Sequence, residues 1–69
     1  MYNQEQFLAD KFARFLRSWG AFHYVYQEAD ISDECMQHIM EFFNKDIIEF
    51  TLEKEENGQR TIIGRIKQK

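Results

Sequence analysis

The sequence predicts an α+β fold in which two helices pack on one face of a small, largely antiparallel three-stranded sheet, in the order α-β-α-β-β and ending in a β-hairpin. Three observations predict it. Stretches beginning at Asn3 and Ser32 carry apolar residues at helical spacing behind capping residues, the stretch between them alternates aromatics, and Ile47 to Lys67 holds two alternating runs around Glu56-Asn57-Gly58. At 69 residues, the expectation is a single small domain spanning 1–69, near the lower limit for independent folding, where roughly 60% of the unfolded surface becomes buried. Aromatic residues make up 16% of the chain, and the absence of Pro argues against long disordered segments.

The first helix is expected from Asn3 to about Ser18. Asn3 with Gln6 three residues on has the form of a capping box, and Gly20 supplies a C-terminal stop. Leu8, Phe12, Phe15, Leu16 and Trp19 recur at helical spacing, with Phe7 widening the stripe, which reads as one buried face. Asp10 and Arg14 stand one turn apart on the exposed side.

Phe22 to Gln27 sets Phe22, Tyr24 and Tyr26 against His23, Val25 and Gln27 and reads as a short strand, with an extended aromatic linker as the rival. The second helix is expected from Ser32 to about Asn44. Ser32 is its N-cap, Asp33 and Glu34 favour the positive end of its dipole, and Ile31 is placed to staple onto Met36. Cys35, Met36, Ile39, Met40, Phe42 and Phe43 cover so much of its circumference that it must touch two things: the sheet, and either the first helix or another subunit.

In the hairpin, a three-residue loop with a left-handed last position requires a residue without a Cβ clash, and Gly58 sits there. This loop opposes Leu52 to Ile62, Phe50 to Gly64 and Ile48 to Ile66 on the core side. On the other side Glu49 meets Arg65, Thr51 meets Ile63 and Glu53 meets Thr61. A two-residue Asn-Gly turn would shift the register by one and set Phe50 against Arg65, so the charge pattern favours the first register.

The net charge of −3 is unevenly spread. Residues 27–56 carry ten acids and two bases, and the rest carries two acids and seven bases. A lone Cys35 forms no internal disulfide, and no signal-like or membrane-spanning apolar run is present, so the expected setting is cytoplasmic and no membrane association is expected. No cofactor is expected, because the glycines at 20, 58 and 64 are isolated and make no phosphate loop. Cys35 and His38 share a helix face but supply too few ligands for a metal ion. With Glu34 and Glu41 a turn away, His38 reads as a surface residue. No nucleophile has a base, an orienting group and an oxyanion hole, so no catalytic residue is assigned and the chain is expected not to be an enzyme.

The expected function is therefore a small non-enzymatic protein-protein interaction module, a regulator or inhibitor of another protein that acts through an acidic face. Its candidate contacts are Asp33, Glu34, Glu41, Glu49 and Glu53, with Ile47 and Ile63, which the register leaves off the core side. One alternative is a nucleic-acid-binding accessory protein using Lys11, Arg14 and Arg17 of the first helix with Arg60, Arg65, Lys67 and Lys69 of the basic C-terminal run. Another is a self-associating structural piece, a homodimer with Trp19, Phe42 and Phe43 divided between core and seam.

Overall fold

The computed structural model describes residues 3–67; Lys69 of the basic run lies outside them. The elements follow the expected order: α1 (Gln4–Trp19), β1 (Ala21–Gln27), α2 (Asp33–Met40), β2 (Ile48–Lys54) and β3 (Gln59–Ile66). Asn3 Oδ1 accepts the Gln6 N–H at 2.8 Å and opens α1. Gly20 closes it at φ 77°, where its N–H reaches the Leu16 carbonyl at 2.9 Å. Ser32 Oγ accepts the Cys35 N–H at 3.1 Å and opens α2.

α2 stops at Met40 rather than continuing to Asn44. The Phe42 and Phe43 N–H groups bond to the carbonyls of Ile39 and Met40, three residues back rather than four, and this tightening turns the chain. It leaves Phe42 60% exposed and sends Phe43 onto Phe50, with ring centroids 5.5 Å apart.

The sheet is antiparallel throughout, in the order β1-β3-β2. The hairpin has the register read from the three-residue loop, with Ile48 opposite Ile66, Phe50 opposite Gly64 and Leu52 opposite Ile62. Gly58 takes φ 89°, the Gly58 N–H reaches the Glu55 carbonyl at 3.2 Å, and the Asn57 side chain accepts the Gln59 N–H at 3.0 Å. β1 and β2 run parallel to each other on either side of β3, so the connection through α2 must cross the sheet.

Both helices cover the face to which even-numbered strand residues point. Phe12, Met36, Ile39 and Ile62 are fully buried between the layers. Phe12 stacks on Phe22 at 4.3 Å and meets Tyr24 edge-on at 5.4 Å, while Phe22 meets Phe50 edge-on at 6.3 Å. Gly64, paired with Phe22 on one side and Phe50 on the other, leaves room for these rings. A Cβ there would lie 2.3 Å from Phe22 Cε1.

Three aromatic residues assigned to the buried stripe of α1 face outward instead: Phe7 is 48%, Phe15 38% and Trp19 77% exposed. The buried face is set by Leu8, Ala9, Phe12 and Leu16, so its centre lies toward α2 and away from Phe7 and Phe15, and Trp19 falls on the final turn where the chain already reverses. Ile66, expected in the core, is 41% exposed at the same end of the molecule.

Candidate functional site

With both helices on one side, the odd-numbered strand residues form an uncovered face. Across it the register builds three rows: Ala21, Arg65 and Glu49; His23, Ile63 and Thr51; Val25, Thr61 and Glu53. The Lys67 N–H donates to the Ile47 carbonyl at 2.7 Å, which carries the β2–β3 pairing one step further and puts Ile47 on the same face. Val25 and Ile47 are each 51% exposed. Arg65 Nε lies 2.7 Å from Glu49 Oε1, so the expected cross-strand charge pair forms, in solvent.

At one end of this face α1 terminates. The left-handed turn at Gly20 swings the chain straight into β1 and leaves the Trp19 indole beyond the sheet. There it borders an open cleft of about 960 Å³ with Gly20, Ala21, Glu49, Arg65, Ile66 and Lys67. The cleft joins an exposed indole and an aliphatic side chain to charges of both signs. The contact set read from the sequence for a protein partner omits Trp19, which only the self-association alternative placed between core and seam, because helical spacing alone assigns it inward; its place on the last turn, directly before the glycine stop, was the available signal.

The seven candidate interaction residues divide between two surfaces. Ile47, Glu49, Glu53 and Ile63 lie together on the open face, whereas Asp33, Glu34 and Glu41 belong to the helical layer. Asp33 is engaged inside the fold: its carboxylate lies 3.0 Å from Lys54 Nζ and 3.2 Å from Arg60 Nε. The Lys54 and Arg60 charges hold its carboxyl below the ordinary value, Lys54 contributing most.

The basic residues of the nucleic-acid alternative do not share one surface. Lys11 stands over the Tyr24 ring, 5.3 Å from its centroid. Arg14 and Arg17 are exposed on α1, Arg65 is on the open face, and Lys67 borders the cleft. Arg60 points the other way, toward the helices. It is 7% exposed and pairs with both Glu28 and Asp33. Its burial was legible in the register, since Arg60 stands two residues before the core residue Ile62 on the same strand. The aromatic row Phe22, Tyr24 and Tyr26 is packed beneath the helical layer, Phe22 and Tyr24 against Phe12 of α1, with Phe22 and Tyr26 each 7% exposed, so it offers no open stacking platform.

On α2, His38 Nδ1 lies 3.3 Å from Glu5 of α1, so its nearest carboxylate is across the helix pair rather than one turn away on its own helix. Burial pushes the Cys35 thiol up, and Glu5 adds to the effect. Among the described residues no group of three His, Cys, Asp or Glu side chains is placed to hold a metal ion, and no helix is long and apolar enough to cross a membrane. No family model, curated protein or solved structure matches the chain.

Proposed function

We propose that this chain is a small non-enzymatic protein-protein interaction module, a cytoplasmic regulator or inhibitor of another protein, and that its partner docks on the open sheet face at the Trp19 end. The observation that carries this reading is Trp19, 77% exposed beside Arg65 and Ile66. Interface hot spots are enriched in Trp and Arg and pair an apolar anchor with a polar rim. Here Ile47, Ile63 and Val25 extend the apolar surface, and Glu49 and Glu53 supply its acidic component. Glu34 and Glu41 lie on the other layer and are assigned no contact with the same partner.

The test is affinity capture from nuclease-treated lysate with the wild type, Trp19→Ala, Ile63→Glu and a Glu34→Lys/Glu41→Lys double variant. Loss of one specific partner with the first two variants and its retention with the third is expected. Retention with Trp19→Ala and Ile63→Glu, or loss confined to the helix-face variant, refutes docking at the open face.

Trp19 next to Arg65 and Lys67 also favours the second reading, a single-stranded nucleic acid stacked on the indole with phosphates at the cations. Recovery that disappears on nuclease treatment, with affinity falling steeply as salt rises, identifies that case.

A further inference from the structure

β1 is an edge strand with its outer side unpaired by β2 or β3. The Ile66 N–H donates to the Gly20 carbonyl and the Glu28 N–H to the Gly58 carbonyl, each at 2.9 Å, bracketing the β1–β3 ladder. Bonded pairs in an antiparallel ladder alternate, so Phe22, Tyr24 and Tyr26 bond to β3, and Ala21, His23, Val25 and Gln27 turn their backbone groups outward. The Gln27 carbonyl is used by the N–H groups of Asp30 and Ile31, consistent with that direction. From Ala21 to Gln27 there is no Lys, Arg, Asp, Glu or Pro, and the register runs without a bulge. Those are the devices by which natural edges are kept from pairing. The opposite edge, β2, has them: Glu49, Glu53 and Lys54.

We propose that β1 is a self-association edge: two copies of this chain pair their β1 strands antiparallel about a two-fold axis through Tyr24, joining two three-stranded sheets into one of six strands. Three features select a second copy as the occupant. First, Tyr24 is the midpoint of the strand, and the axis there opposes His23 to Val25 and Ala21 to Gln27 of the second copy, matching outward-facing residues to outward-facing residues. Second, α1 turns Glu5 toward His38 of α2 and, on its other flank, sets Lys11 over Tyr24, so that flank lies along the β1 edge. Phe7, Lys11 and Phe15 succeed one another at four-residue spacing there, and the same axis brings Phe15 of one copy toward Phe7 of the other. Third, the axis separates the acidic elements. β2 is two strands from the seam, about 10 Å, and the acidic hairpin runs down the far edge of each sheet. The inference rests on the strand edge and not on partner docking at the Trp19 cleft, so either can fail alone.

The experiment is sedimentation velocity on the full chain over a concentration series reaching millimolar, with the mass expected to rise from 8.4 kDa toward twice that value. His23→Pro removes an N–H that points away from β3, so it leaves the chain's own ladder intact and is expected to weaken association about tenfold or more. Phe15→Glu, which changes no backbone group, is expected to act in the same direction and decides the matter if the proline variant unfolds. In a Cys35→Ser background, Tyr24→Cys is expected to form an interchain disulfide under mild oxidation, because residues facing each other across the axis stand about 4.5 Å apart at Cα. Leu52→Cys on the β2 edge is expected to form none. A monomer at every concentration, a dimer indifferent to the β1 variants, or crosslinking through Leu52 in place of Tyr24 overturns the proposal.

Discussion

Among the described residues, Arg60 joins charges that have been taken out of water to very different extents. Its side chain is 9% exposed, whereas Glu28 and Asp33, the carboxylates it pairs with, keep 53% and 35%. That asymmetry predicts which half of the network matters. Replacing both carboxylates, Glu28→Gln with Asp33→Asn, strands a buried guanidinium whose other contacts are the Glu55 and Gln59 carbonyls at a long 3.4 Å. Stranding a buried charge costs about 3–5 kcal/mol. Replacing the cation instead, Arg60→Met, fills the apolar part of the site and leaves two carboxylates that water can solvate, with Asp33 still holding Lys54 at 3.0 Å. A buried pair exchanged for an apolar side chain of similar volume is close to neutral, so this variant is expected within about 1 kcal/mol of wild type.

A chain of 69 residues has a total stability of about 3–10 kcal/mol, so the first change is large and the second small. Urea denaturation at neutral pH separates them, provided the slopes agree. The carboxylate variant should lose about 12 °C or more in Tm. Lys54→Met serves as the control for the third charge at Asp33. An Arg60→Met variant that loses as much stability as the carboxylate variant refutes the reasoning, since it would mean that the guanidinium contributes through its own bonds and is not merely tolerated by them.

Three further outcomes follow from the packing and the charges. Gly64→Ala drives a Cβ into the Phe22 ring and is expected to cost about 1–3 kcal/mol, less in a Phe22→Leu background; equal costs in both backgrounds would remove Phe22 as the cause. The Tyr26 hydroxyl is buried with no hydrogen-bond partner among the described residues, so Tyr26→Phe is expected to raise stability by about 1 kcal/mol, and a loss of that size in urea melts contradicts it. Because Lys54 and then Arg60 hold the Asp33 carboxyl below its ordinary 3.8, its contribution is complete above that value and is lost as pH falls through the lower folded one; Asp33→Asn should flatten this acid limb of a stability-pH curve, and an unchanged limb refutes the assignment.

Local chemistry made the element order and the hairpin legible. Gly58 could take a left-handed position, Asn3 and Ser32 could cap, and the Glu49–Arg65 pair selected one register over its neighbour. Strand order was not legible, because charge within a strand does not track its place here: the central β3 carries Arg60 and Arg65, while the edge strand β1 carries no Asp, Glu, Lys or Arg. The end of α2 was missed for a related reason. Phe42 and Phe43 continue the helical apolar pattern, and only the position of Phe50 in the sheet shows that Phe43 leaves the helix to reach it. Arg60 was read as part of a surface tail, although the hairpin register already placed it on the core side; composition was allowed to outweigh parity. Of the candidate site, the half on β2 and β3 was found through that same register, as Ile47, Glu49, Glu53 and Ile63. Trp19 was not, because its exposure depends on where the sheet ends beneath α1.

The open face and the β1 edge together have a consequence that neither has alone. Pairing two copies about Tyr24 sets Ala21 of each against Gln27 of the other, so the two Trp19 clefts fall at opposite ends of the seam, separated along the strands by about seven residues, or roughly 20 Å. All six strands then present one continuous uncovered face with two docking points related by a two-fold axis. A partner that is itself a symmetric dimer would meet both at once, and the second contact would form at the effective concentration set by the first. Under those conditions His23→Pro, which alters neither cleft, should weaken binding to the dimeric partner far more than binding to a single subunit or fragment of it. No loss for either would show that the two surfaces act independently, and equal losses for both would place His23 in the docking contact itself.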